Sequence, residues 1–271
     1  MHVIAYAIAA TLYLAASARF AMRFARARPG ATALVAIIIF LGLVSHIVGV
    51  GLYWAEFGEP PLVGFGPSLA SLGLVIALAL AGLGLFSSAR AVGLLLAPVA
   101  ALLVILAIVV GIEPTGSELA FRGRWLILHI SLGFLGYAGW VVAAAASLMY
   151  LLQLRQLKHK NLGAIFEFFP PLGTLEKLSE WALITGFSAL TLGISVGWAW
   201  TIRFEGGFRW SDPKVIWGVM AWFALLLALW ARFGGRRTTR QAALWNVAGL
   251  GVVSLAYLVA KMLIPESPFF L

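Results

Sequence analysis

Cysteine is absent from this 271-residue chain. That excludes a CxxC redox pair, a thiolate metal site, an iron–sulfur cluster and any disulfide. Charge is scarce as well: charged residues make up 11% of the sequence, and only ten are acidic. Nearly all of these carboxylates fall in loops or at helix ends, so no carboxylates are expected to pair within a membrane, and a carboxylate proton or cation relay lacks parts. Histidine is limited to four residues, which are the strongest transition-metal ligands left. No nucleotide-binding loop and no Ser/His/Asp grouping occurs, so catalysis in a strict sense has no constellation to rest on.

What the chain has instead is apolar surface. It is 62% hydrophobic, with a mean hydropathy of +1.00, far more than a soluble domain hides. The expected fold class is all-α, a polytopic integral membrane protein embedded in a lipid bilayer. Eight segments are long enough, at about 20 residues each, to cross it as helices: about 2–22, 31–53, 67–87, 91–111, 125–154, 178–200, 215–233 and 241–264. The first lacks a basic leader and is followed by Arg23, Arg26 and Arg28, which reads as a retained helix. No connection is large enough for a separate domain, so residues 1–271 read as one membrane domain. The net charge of +9 sits mostly between apolar runs, where it orients helices, and nucleic acid is rejected as a partner. Thirteen of the nineteen Lys and Arg fall in the odd-numbered connections. Positive-inside bias then puts both termini outside.

The sixth connection therefore faces outward. It lies within Gly197–Trp222, a stretch that holds five of the eleven tryptophans, at 198, 200, 210, 217 and 222, around Asp212-Pro213-Lys214. Tryptophans at a membrane edge form an ordinary interfacial belt or a platform for a flat aromatic ligand. Asp212 suits the cap of the following helix, with Pro213 at its first position. The fifth connection, 155–178, is stopped by Pro170-Pro171, after which Thr174 can cap the next helix with Glu176 in its first turn. Its basic and aromatic first half suggests a helix end or a segment lying at the interface.

His2, at the terminus, and His159, within a basic KHK, read as solvated. His46 and His129 interrupt apolar helices, where an ionisable group counts as a functional candidate. The plainer alternative is a neutral imidazole hydrogen-bonded to a neighbouring helix. From the expected helix ends, the two lie roughly 10 Å and 6 Å below the outer surface at about 1.5 Å per residue, so both reach one site under the sixth connection. His46 shares its face with Gly42, Gly49 and Tyr53, and His129 with Gly133, Gly136 and Trp140. Glycines on those faces either bring helices close or clear room for a planar macrocycle.

Asp212-Pro213-Lys214-xx-Trp217, followed by an apolar Trp-containing helix, resembles the tryptophan-rich "WWD" segment of cytochrome c assembly proteins of the CcsA and CcmC type. LHISLGFLGYAGW, around His129, is similar to the helix that carries an external haem-ligating histidine in that superfamily. VSHIVGV, PPLGTLEKL and WNVAGLGVVSLAYLVAK resemble the eight-helix YpjD/HemX-like branch. The likeness covers about Leu34 to Lys261. It departs where Arg209 and Ser211 stand in place of two tryptophans, Trp210 is displaced by one, Val215 replaces a Glu, and Trp230 takes the place of a histidine. Two of four expected histidines remain, too few for two bis-histidine sites.

The resemblance implies a multi-pass protein of a bacterial-type inner membrane that holds haem b noncovalently in the outer half of the bilayer. His129 would be an axial ligand of the iron. His46 would be the second axial ligand or the ligand of a separate haem. Trp198, Trp210, Trp217 and Trp222 would stack on or cover the macrocycle; Trp217 and Trp222 stand about 140° apart on one helix, which favours Trp217. Arg203, Arg209 or Lys214 would pair with propionates. Partners would be haem and other membrane proteins of cytochrome assembly or haem metabolism. The alternative is a regulatory or scaffold protein of the same fold that does not transfer haem. A small-solute transporter would want discontinuous helices and midplane polar groups, and few are present.

Overall fold

The computed structural model describes residues 1–26, 32–86, 89–114, 124–160, 163–204, 213–234 and 238–263. Among them every regular element is helical: α1 (His2–Ala25), α2 (Ala33–Phe57), α3 (Phe65–Leu85), α4 (Gly93–Val110, entered through a 3-10 turn at Arg90–Val92), α5 (Arg124–Lys158), the short α6 (Ala164–Phe168), α7 (Leu172–Phe204), α8 (Pro213–Phe233) and α9 (Thr239–Leu263). An α-helix meets its backbone hydrogen-bonding needs internally, which is what a bilayer demands of any spanning segment. Seven helices, α1 to α5, α7 and α8, are long and apolar enough to cross a membrane among the described residues. The eighth long helix, α9, has 25 residues. The chain is an all-α polytopic membrane protein.

Helix ends follow local chemistry. α2 stops at Gly58, whose φ of 76° is left-handed and whose N–H donates to the Trp54 carbonyl at 2.9 Å, the arrangement glycine permits without steric penalty. α7 begins six residues earlier than expected because nothing after Pro171 interrupts it. The Pro171 carbonyl accepts from the N–H groups of Thr174 and Leu175, so Thr174 lies inside the first turns and is not the cap. Pro213 does open α8; Asp212, its expected cap, lies outside the described residues. The segment before the prolines forms α6, and Phe168 at its end and Phe169 just after it are buried, their rings 5.5 and 6.0 Å from that of Phe24 in α1.

The helices pack as two groups. α1 lies against α2 and α4, and α3 against α4, around a core that includes Tyr6, Tyr13, Tyr53, Ile76 and Leu96. α5 packs on α7 along most of its length, and α9 on α5 and α8, around Trp140, Leu183, Leu190 and Leu225. The middle of α5, from Ala138 to Met149, joins the first core as well. At about 1.5 Å per residue α5 and α7 are about 50 Å long, well beyond an apolar bilayer core of about 30 Å.

Near the start of α7, Glu176 and Glu180 both accept hydrogen bonds from Arg232 of α8, at 2.7 and 3.1 Å. The spacing of four residues placed them on one helical face, but their shared partner lies more than fifty residues further on.

Candidate functional site

His129 sits five residues into α5, half-buried. Its Nδ1–H donates to the Gly193 carbonyl of α7 at 2.7 Å. That fixes the tautomer and leaves Nε2 with its lone pair; among the described residues no partner engages it. The close fit depends on Gly197, where an added Cβ would stand 2.7 Å from Nδ1 and from Cε1 of the ring. The carbonyl of Gly193 and the missing side chain of Gly197, one turn apart on α7, form a seat for one imidazole. Neither residue was singled out from the sequence; their spacing of four, a small-xxx-small pattern, is the only signal they carry.

The glycines flanking the histidines face different partners. A Cβ at Gly136 would meet the Leu190 side chain at 2.9 Å, one at Gly139 the Gly186 backbone at 2.8 Å, and one at Gly186 the Gly136 carbonyl at 2.9 Å. These build the α5–α7 seam. Gly42 and Gly49 accept the rings of Tyr13 and Tyr6 from α1. Gly133, one turn below His129, is different: nothing lies within 4 Å of a Cβ built there.

His46 is fully buried between α1, α2 and α3. Its Nε2–H donates to the Ala70 carbonyl at 3.1 Å, and its Nδ1 accepts from the Tyr13 hydroxyl at 3.3 Å. Tyr6 meets it edge-on, with ring centroids 5.3 Å apart. Because α2 runs on to Phe57, His46 lies eleven residues from that end, about 16 Å, whereas His129 lies about 8 Å into α5. The two rings pack in different helix groups and at different depths.

His2 is not solvated. It is 5% exposed; its Nδ1 lies 2.8 Å from Glu56 Oε2, and its Nε2–H donates to the Ile112 carbonyl at 3.1 Å. It ties the start of α1 to the ends of α2 and α4. His159 is exposed.

The tryptophans face several ways. Trp217, half-buried, has its ring 5.2 Å from that of Tyr257 in α9, and with Tyr137 of α5 it packs against the Trp140 core. Trp222 turns to α7, where its indole N–H donates to Thr191 Oγ1 at 2.9 Å and its ring lies 5.4 Å from Phe187. Trp198, next to Gly197, is 55% exposed. Arg203 is exposed in the last turn of α7. Trp210 and Arg209 lie outside the described residues, as does the side chain of Lys214. The aromatic group of Tyr137, Trp217 and Tyr257 goes beyond what periodicity reveals, because it joins three helices. Trp125, four residues before His129 and 52% exposed, is a further aromatic side chain on its face.

The sequence model of the cytochrome c assembly protein family matches residues 66–265, which takes in α3 to α9 and so His129, Gly193, Gly197 and Trp217. Among curated proteins the chain is 28% identical over 159 residues to the cytochrome c biogenesis protein CcsA of Guillardia theta, covering 53% of each. It is 30% identical over 163 residues to CcsA of Prochlorococcus marinus (strain MIT 9515), covering 53% of this chain and 52% of that one. For CcsA of Chlamydomonas reinhardtii the figures are 27% over 144 residues, 53% and 40%. The chain thus spans about half the length of the curated relatives it matches. With most of its length under the family model, the chain belongs to the cytochrome c assembly protein family.

Proposed function

We propose that the chain binds haem b noncovalently in the outer half of the membrane and handles it for cytochrome c assembly, with His129 as an axial ligand. The observation that carries this reading is the hydrogen bond from His129 Nδ1–H to the Gly193 carbonyl. Metal-ligating histidines characteristically donate their other N–H to a carbonyl or carboxylate, which fixes ring orientation and raises ligand basicity. Haem supplies an iron with axial positions that a neutral imidazole fills. Around that imidazole, the open side at Gly133 gives room, and the Tyr137–Trp217–Tyr257 group gives flat apolar surface two turns deeper. Trp198 stands at the same end of α7, Trp222 ties α8 to α7 through Thr191, and Trp210 is proposed as a further cover of the macrocycle. Arg203, Arg209 and Lys214, in and beside the connection from α7 to α8, are the proposed partners of haem propionates. Membrane proteins of cytochrome assembly or haem metabolism are the proposed partners of the chain.

His46 enters this reading second. Both of its nitrogens are engaged, so ligation there, to the same iron or to a separate haem, begins with release of the bond to Ala70 or to Tyr13. The packing favours His129 alone. The test is the absorption spectrum of protein purified from haem-replete cells. A Soret band that is lost in His129→Ala and kept in His46→Ala is the expected result. A change from low to high spin in His46→Ala would restore His46 as the second ligand. A colourless wild-type protein overturns haem binding and leaves the second reading, a scaffold or regulatory protein of this fold, which the satisfied state of His46 favours.

A further inference from the structure

The helices that carry and face His129 also enclose a small polar cavity at their opposite end, between α5, α7, α8 and α9. It has a volume of about 20 Å³, and its lining includes Ser147, Glu176, Ser179, Glu180, Arg232 and Asn246. Arg232 donates to both Glu176 Oε1 and Glu180 Oε2, at 2.7 and 3.1 Å. Two carboxylates therefore meet one guanidinium, and the cluster keeps one negative charge in excess. Asn246 is only 2% exposed. Its Nδ2 donates to Ser147 Oγ at 3.0 Å and to Ser179 Oγ at 3.3 Å, and these two hydroxyls lie 2.8 Å apart. Asn246 Oδ1 is buried without a hydrogen-bond partner. A buried amide oxygen is unfavourable unless a donor or a cation meets it.

We propose that this cavity binds one sodium-sized monovalent cation. Asn246 Oδ1, the hydroxyl oxygens of Ser147 and Ser179, and a carboxylate oxygen of Glu180 are its ligands. All are hard oxygen donors, the kind that alkali and alkaline-earth ions take, and no imidazole or thiolate lines the cavity to draw a transition metal. The single excess negative charge matches a monovalent ion. An anion is disfavoured, because two carboxylates already share Arg232 and the excess charge is negative. The volume is enough for one water-sized occupant. A bound ion joins α5, α7 and α9, so its presence is read in their stability, and the inference stands apart from the haem reading.

The full chain, purified in detergent and exchanged into choline chloride, is titrated with sodium, potassium or lithium chloride at constant ionic strength and pH. Thermal unfolding is followed by tryptophan fluorescence. A saturable rise in the midpoint with sodium is expected, about 5 °C once sodium is at about a hundredfold its dissociation constant. Asn246→Ala is expected to abolish that rise. Equal midpoints in sodium and choline overturn the proposal, and so does a sodium response that persists in Asn246→Ala. Should that variant not fold, Glu180→Gln removes the excess charge at nearly constant size; a sodium response kept there overturns the proposal equally.

Discussion

Gly197 has no side chain, and the ring of His129 stands where one would be. A methyl group at that position pushes the imidazole away from the Gly193 carbonyl, because α7 cannot retreat from a seam closed by Gly139 and Gly186. Gly197→Ala is therefore expected to weaken haem binding about tenfold or more, the scale on which ligand-orienting contacts act. Titration of the haem-free protein with haem reads this directly. Gly51→Ala, at a site with nothing within 4 Å, is expected to bind as the wild type does. His46 shows the opposite arrangement. With Tyr13 on one nitrogen and Ala70 on the other, it has the chemistry of a satisfied core histidine, even though its position in an apolar helix resembles that of His129.

The α5–α7 seam is built from backbone approaching backbone. Small residues let it close, as they do where membrane helices associate by packing alone. Gly139→Leu is expected to force the pair apart and lower stability by about 1–3 kcal/mol, the usual range for an overpacked core. Unfolding in detergent measures the loss, with Gly173→Ala, in open space on α7, as the unchanged comparison. The eight long helices were legible in the chain because an apolar run of about 20 residues has one economical solution in lipid. Their true ends were less so. Hydropathy marks the bilayer-length part of α7, from about 178 to 200, while the helix itself starts at Leu172, because its amphipathic first turns are polar enough to leave the window. The seat of His129 was half legible. Its depth and the flanking glycines stood out, but whether a glycine faces a helix, a ring or open space depends on a partner helix sixty residues away. Glu176, Glu180 and Arg232 were hidden for the same reason, as was Tyr13 behind His46.

The two helix groups share α5, and through it the ends of the molecule are connected. The positive-inside count puts the Gly58–Gly64 connection outside and the α5–α6 connection inside. The lack of any cysteine makes this easy to check. Glu59→Cys in intact cells is expected to react with a membrane-impermeant maleimide, and Lys160→Cys only after lysis; the reverse pattern inverts the topology and moves His129 to the inner half. Either way, the length of α5 has a mechanical meaning. His129 and Lys158 lie near the two ends of one rod, about 44 Å apart at 1.5 Å per residue, and α7 is packed closely against it at Gly136, Gly139 and Gly186. Such a beam does not bend at the seam. A push on the connection near Lys158 arrives at the imidazole as a tilt or a slide of the whole rod, so a protein docked at that far end would aim the histidine without touching it.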